Sequence, residues 1–398
     1  MAVGLQVMAS LAIRGGEPVR RRPFPRWPFS DDEEVREVLE VLREGPWSAG
    51  SSKIRLFEEE FASFHHAGYG VSCTSGSVAL FVSLKALGLG PGDEAIVPAY
   101  TFLATATAVI DTGATPVIVD IDPTTYNISP EAVSKAVTEK TRCIIPVHLA
   151  GCPADMDKIL ETAEKHGLRV LEDAAQAHGA EWRGRRVGSL GDMAGFSFYQ
   201  SKNMAAGEGG IITTNIEELA ELARSLVNVG RDVRRGWYEH VRYGWNFRMT
   251  AFQAAVLRAQ LRRLPELNRK RTRSAEFLDE SLRAIDGVEP LEKPPQVTAH
   301  SYHLYIVRVD VKKFGFSAKE EFVKALNAEG IPCNAGYRPL SSYWFIAEKS
   351  RVPMPLKNTE KACQYEAVWI PQYVLLGERE DLMDVVEAFA KLRKAAGS

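Results

Sequence analysis

The stretch Gly195-Phe-Ser-Phe-Tyr-Gln-Ser-Lys-Asn-Met-Ala-Ala-Gly-Glu-Gly-Gly-Ile-Ile-Thr-Thr214 reads as an aromatic strand, a turn carrying Lys202, and a glycine-rich return into a second strand. Upstream, apolar runs of similar length recur as Gly70-Val-Ser-Cys73, Ala95-Ile-Val-Pro98, Pro116-Val-Ile-Val-Asp120, Cys143-Ile-Ile-Pro-Val147 and Leu168-Arg-Val-Leu-Glu-Asp173. Segments with helical spacing, such as Ser77 to Leu89 and Ala154 to His166, separate them. Short, near-continuous apolar runs alternating with helices mark a parallel sheet covered on both faces. The region from about Tyr69 to Thr213 is therefore predicted to be a doubly wound α/β domain.

Downstream, a basic, aromatic-rich loop (Gly230 to Arg248) precedes a long amphipathic pattern from Thr250 to about Ile285, which reads as a linker helix. From Val288 onward the pattern mixes a strand (His303 to Val309) with helices at Ala318 to Glu329 and Glu378 to Lys394, an α+β lobe. The part from Ile13 to Phe64 is expected to pack on the large lobe as helices at Asp31 to Arg43 and around Ile54 to His65. Residues 1–250 are thus expected to hold an N-terminal segment and the large domain, and residues 251–398 the linker helix and the small domain.

With 398 residues, 45% hydrophobic and 25% charged, the chain can bury a large core in two lobes. A formal charge of -2 lacks the basic excess that a phosphate backbone demands, so no nucleic-acid partner is expected. The five cysteines, Cys73, Cys143, Cys152, Cys333 and Cys363, form no CxxC pair and have no histidine at zinc-ligand spacing, which predicts a reducing cytoplasm and no metal. Met1 to Ile13 lacks a positive charge before its interrupted apolar run, so no signal peptide is read, and no later stretch is apolar enough to predict a membrane span.

Three segments carry chemistry, and in an open parallel sheet ligands bind where strands end. Cys73-Thr-Ser-Gly-Ser77 runs from a strand into a helix start, where free N–H groups, hydroxyls and a glycine make an anion cradle; a structural N-cap is the plainer alternative. Asp173 closes its strand, where a carboxylate can meet a ligand cation, while Glu172 should point to the other face; a helix cap or a solvated acid would look the same. Lys202 sits at the end of a buried strand, where lost solvation would lower its pKa from about 10.4 and supply a neutral amine for a Schiff base; a surface hairpin lysine is the alternative. Together they meet the three needs of one cofactor, pyridoxal phosphate (PLP): a phosphate cradle, an acid for the pyridinium and a lysine for the aldehyde.

The blocks Gly92-Asp-Glu-Ala-Ile-Val-Pro-Ala-Tyr-Thr-Phe-Leu-Ala-Thr105, Glu172-Asp-Ala-Ala-Gln-Ala-His-Gly179, Ser201-Lys-Asn-Met204 with Gly207-Glu-Gly-Gly210, and Asn246-Phe-Arg-Met-Thr250 closely resemble the DegT/StrS (DegT/DnrJ/EryC/StrS) sugar aminotransferases, from about Leu11 to Ala390. The resemblance implies a fold-type I, aspartate-aminotransferase-like architecture, with a mostly parallel seven-stranded sheet and a smaller C-terminal α+β domain. It implies ping-pong transfer of an amino group from L-glutamate or L-glutamine to a nucleotide-linked keto-sugar or a keto-cyclitol, with pyridoxamine phosphate as the intermediate cofactor form. It further implies that Lys202 holds PLP as a Schiff base, that Asp173 pairs with the ring nitrogen, that Gln176 bonds the ring hydroxyl and that Phe102 stacks on the ring. Gly76, Ser77 and Ser197 would hold the phosphate, joined by Asn246 reaching over from a second subunit, so the resemblance implies a homodimer with shared sites. Ser77 departs from the threonine more usual in the family but keeps the hydroxyl.

Lys202 argues against the related dehydratases, which carry histidine there, and Ser201 against desulfurases and decarboxylases of this fold, which carry histidine before the lysine. A PLP-binding regulator without turnover and an aminohydroxybenzoate-synthase-like enzyme stay open. Ile331-Pro-Cys-Asn-Ala-Gly-Tyr-Arg-Pro-Leu340 and Glu366 to Gly377 resemble the branch of cyclitol aminotransferases and aminohydroxybenzoate synthases. Tyr337, Arg338 and His148 are candidate substrate contacts, Arg231 and Arg248 candidates for anionic groups, and His178 and His303 structural or pocket-lining residues.

Overall fold

The computed structural model describes residues 10–232, 234–236 and 238–396. The segment Met1 to Ile13, read as free of a targeting signal, lies mostly outside them. Strands β1 (Tyr69–Cys73), β2 (Glu94–Pro98), β3 (Thr115–Val119), β4 (Thr141–Ile144) and β5 (Arg169–Asp173) are followed by a two-residue hairpin, β6 (Glu181–Trp182) and β7 (Arg185–Arg186), then by β8 (Met193–Ser197) and β9 (Gly210–Thr214). Seven of them form one sheet in the order β1-β9-β8-β5-β4-β2-β3. Within it β9 alone runs antiparallel to its neighbours, and the remaining pairs are parallel. The predicted parallel sheet is therefore present, and Lys202 stands on the β8–β9 connection, where the direction reverses.

Local sequence explains the helices that flank the sheet. Helix α1 (Asp32–Glu44) starts from a capping box in which Glu33 N–H donates to Asp31 Oδ1 and Asp31 N–H donates to Glu34. Helix α2 (Ser52–Phe64) packs on β1. Helices α3 (Gly76–Ala86), α4 (Ala104–Asp111), α5 (Pro130–Ala136), α6 (Met156–His166) and α7 (Glu217–Val227) lie along the sheet segment. Gly167 ends α6 at φ +63°, the left-handed conformation that glycine adopts without cost. Both faces of the sheet are buried, one against α3, α4 and α7, the other against α5 and α6.

The predicted linker is helix α8 (Ala251–Arg283), capped by a Thr250–Gln253 box. Strands β10 (Val288–Pro290), β12 (Leu304–Val309) and β13 (Ala367–Pro371) form a second, antiparallel sheet, while β11 (Val297–Ala299) pairs with β6. Helix α9 (Lys319–Ala328) and the last helix, Arg379–Ala396, pack on this smaller sheet around Phe322 and Phe389.

The N-terminal stretch differs from expectation. Helices α1 and α2 do pack with α8 and the large lobe, but Leu11, Val19 and Phe24 join the hydrophobic cluster of the small lobe. The cause is polar: buried Glu329 accepts the N–H groups of Ala12 (2.8 Å) and Val19 (3.1 Å), and Arg20 pairs with Asp381 (2.8 Å) and Asp384 (2.6 Å). Among the described residues no helix is long and apolar enough to cross a membrane, and no cluster of His, Cys, Asp and Glu could hold a metal ion.

Candidate active site

A cavity of about 740 Å³ opens where β1, β5 and β8 end, with β12 and β13 of the small lobe contributing the other wall. On leaving β1 the chain turns at Ser75, whose hydroxyl accepts Val78 N–H at 3.2 Å and caps α3. Ser75 thus takes the capping role, and Ser77 keeps its hydroxyl for the cavity it lines. A Cβ on Gly76 would fall 2.6 Å from Ser197 Cβ, closer than carbon atoms approach. Only glycine lets the start of α3 lie against the end of β8, so Gly76, Ser77 and Ser197 converge as the sequence predicts. The helix start presents N–H groups and the positive end of the helix dipole there, a setting suited to a phosphate.

Asp173 and Lys202 face the same cavity. The Asp173 carboxylate accepts from Thr105 Oγ1 (2.7 Å) and Ala175 N–H (3.2 Å); burial raises its pKa, and the hydrogen bonds and the charge of Lys202 oppose that rise. Burial likewise brings the Lys202 amine down to about 8, against the pull of Asp173 in the other direction. This site therefore offers an amine that is readily neutral beside an acid that gains by facing a cation.

Alternation along β5 sends Glu172 to the other face, as expected. Its carboxylate, fully buried, pairs with His148 Nε2 (3.0 Å) and accepts N–H groups of Gly188 (3.0 Å), Leu190 and Gly191 (both 2.9 Å). These hydrogen bonds outweigh burial and hold its pKa low. His148 spends its other ring nitrogen on Ala154 N–H at 3.1 Å, so it supports the β5 end from outside the cavity and does not stand where a substrate contact would.

Gln176 lines the cavity, bound through Oε1 to Ala150 N–H (2.7 Å) and through Nε2 to Tyr337 (3.1 Å). Tyr337 is on the wall, whereas Arg338 is exposed and turns to the Tyr343 ring, 5.7 Å from its centroid. Phe102, 52% exposed, also lines the cavity, which suits a ring-stacking surface better than a core position. Asn246 does not line it; this residue bridges to Asn228 at the end of α7. His303 is on the wall, and His178 lies buried against Phe196 and Phe198.

Several residues that sequence reasoning missed complete the site. Trp27 comes from the N-terminal segment, and its Nε1 donates to the Lys202 carbonyl at 3.1 Å. Thr105 orients Asp173, and Gln372 lines the wall. Thr105 stood inside a recognised block, so its place at the start of α4 was a usable signal. Gln372 likewise stood inside the recognised stretch Glu366 to Gly377, though nothing there singled it out, and Trp27 lay in no recognised block. The close Gly76–Ser197 approach, the oriented acid and the readily neutral amine fit PLP in donor chemistry and in the space kept clear by glycine.

The DegT/DnrJ/EryC1/StrS aminotransferase family model matches residues 28–390. A chain of Streptoalloteichus tenebrarius is 39% identical across 97% of this chain and 98% of its own, and the L-glutamine:2-deoxy-scyllo-inosose aminotransferase of the same organism is 36% identical with the same coverage. Among solved structures, 3-amino-5-hydroxybenzoic acid synthase superposes with a TM-score of 0.89 at 35% identity, covering 94% of this chain and all of its own. A Streptococcus pneumoniae protein solved in a pyridoxamine phosphate form gives 0.85 at 28% identity, covering 95% of this chain and 98% of its own.

Proposed function

Because the chain belongs to the DegT/DnrJ/EryC1/StrS aminotransferase family, we propose that it transfers an amino group from L-glutamine or L-glutamate to a keto-cyclitol or keto-sugar at the cavity around Lys202. As a member of that family it is an aminotransferase, and its cofactor is PLP. Bound PLP supplies an electron sink that makes the hydrogen on the donor carbon acidic. The remaining work falls to the chain itself. Lys202 Nζ, readily neutral with a pKa of about 8, would hold the cofactor covalently and, once displaced by the donor amine, would take up and return the proton, a role typically worth ~10²- to 10⁴-fold in rate. Asp173, braced by Thr105 and Ala175, would face the cationic ring nitrogen. Gly76, Ser77 and Ser197 would hold the phosphate, Gln176 the ring hydroxyl, and Phe102 would cover the ring.

Glutamine and a cyclitol ketone are favoured as donor and acceptor by the activity for which the S. tenebrarius relative is named. Tyr337 is the substrate-facing residue that best fits the acceptor, since it lines the cavity and Arg338 and His148 do not. The active unit would be a homodimer in the cytoplasm; what supports the dimer is that Asn246 is exposed and off the wall of its own chain's cavity.

The observation that carries the reading is that Lys202, Asp173 and the Gly76 helix start face one cavity, where lost solvation favours the neutral amine. Its test is the absorbance of the PLP-loaded protein before and after L-glutamine or L-glutamate, without acceptor. Loss of the lysine-bound cofactor band and release of pyridoxamine phosphate is the expected result, and Lys202→Ala should show no such conversion at any donor concentration. A lysine-bound band that neither donor changes would instead favour the regulator reading.

A further inference from the structure

Beside the Lys202 loop lies a buried cation that no acid neutralises. Arg271 on α8 is fully buried, and among the described residues it forms no ion pair. Its Nε and Nη2 donate to Gln372 Oε1 at 2.9 and 2.6 Å, and its Nη1 donates to Asn268 Oδ1 at 3.0 Å. The guanidinium lies 5.2 Å from the centroid of Trp27, itself a wall residue. Buried charges are ordinarily paired; this one meets only amide oxygens and an aromatic ring.

The consequence falls on Gln372, which follows β13 and lines the same cavity as Lys202. A guanidinium has donors only, so the Gln372 atom that faces it must be the oxygen. The amide nitrogen is then directed away from Arg271, and it is buried without a hydrogen-bond partner. His303, also on the wall, leaves Nδ1 unpartnered, and burial keeps its ring neutral. Leaving a buried donor unsatisfied is costly, and a ligand acceptor would recover that cost. With a full positive charge directly behind the donor, an anionic oxygen is preferred over a hydroxyl.

We propose that Gln372 Nε2, polarised by Arg271, binds a carboxylate of the amino donor. This deepens the function proposed above and rests on it. Arg271 acts here as a positioning residue, and Gln372 as the group that touches the substrate.

The test uses the PLP-loaded enzyme and 4-carbamoylbutanoate, the glutamine skeleton without its amino group, titrated by calorimetry. Gln372→Glu keeps an oxygen for Arg271, and so keeps the fold, but presents a second anionic oxygen to the ligand. The expected result is at least tenfold weaker probe binding in Gln372→Glu and a smaller loss in Gln372→Met. The apparent Kd for glutamine in the donor half-reaction should rise in the same order. Saturation of the pyridoxamine form by 2-deoxy-scyllo-inosose should shift less than donor saturation does. Probe affinity unaltered in Gln372→Glu, no probe binding to the wild type, or an equal shift in donor and acceptor saturation would each overturn the assignment. Wild-type enzyme that binds the probe yet is converted by neither donor would count against the aminotransfer reaction itself, leaving the probe comparison to decide Gln372 separately.

Discussion

Lys202 shows how one residue's chemistry depends on its neighbours. Loss of solvation favours its neutral form, and the Asp173 charge favours the ammonium; burial wins, and the amine sits near 8, well below the ~10.4 of a free lysine. Since only the neutral amine attacks an aldehyde, the rate at which apoenzyme captures PLP should rise with pH to a midpoint near 8. Asp173→Asn removes the charge that favours protonation, so the midpoint should move down. Stopped-flow absorbance across pH 6 to 10 checks both; a midpoint near that of free lysine, unmoved by Asp173→Asn, would show that burial does not govern this amine. Glu172 carries the opposite lesson: an equally buried acid, it is held low by three N–H groups and His148, and that arrangement fixes the β5 end that presents Asp173.

At the scale of elements, the site is a meeting of three strand ends and one helix start. The contact that decides it is α3 on β8, where Gly76 lies against Ser197. Gly76→Ala would force these elements apart, at a cost of typically 1–3 kcal/mol for an overpacked contact, and would close the space meant for a phosphate. We expect PLP affinity to fall at least tenfold while the fold survives, read by equilibrium dialysis against circular dichroism; undiminished affinity would remove the cradle from α3. Ser77→Ala, which leaves the packing untouched, should cost less.

Across the whole molecule, the N-terminal segment ties the two lobes together. Residues 11–24 rest on the small lobe through Glu329 and Arg20, and Trp27 then reaches the Lys202 carbonyl before α1 and α2 settle on α8. Glu329 is fully buried and also pairs with Lys391 at 2.7 Å. Glu329→Ala would leave the Ala12 and Val19 N–H groups unpaired and Lys391 with only the Glu17 carbonyl at 2.6 Å, and removing one partner of a buried pair costs about 3–5 kcal/mol. Denaturant unfolding should show a loss of that size, with hydrogen exchange rising first in residues 11–24; a loss under about 1 kcal/mol would mean that apolar contacts alone hold the segment.

The sequence by itself determined what is local. Strand and helix periodicity placed the sheet, the Thr250 and Asp31 caps started helices where polar spacing required, and the blocks around Asp173 and Lys202 identified family and cofactor, because each is written within a few consecutive residues. Tertiary structure alone decided the rest: the N-terminal segment's seat on the small lobe, Trp27 at the lysine loop, His148 turned away from the cavity, and Gln372 locked by Arg271. Those contacts join segments far apart along the chain, and they arise from which faces remain uncovered once both lobes have packed. No periodicity or motif encodes such a meeting, since each partner taken alone reads as an ordinary polar or aromatic residue.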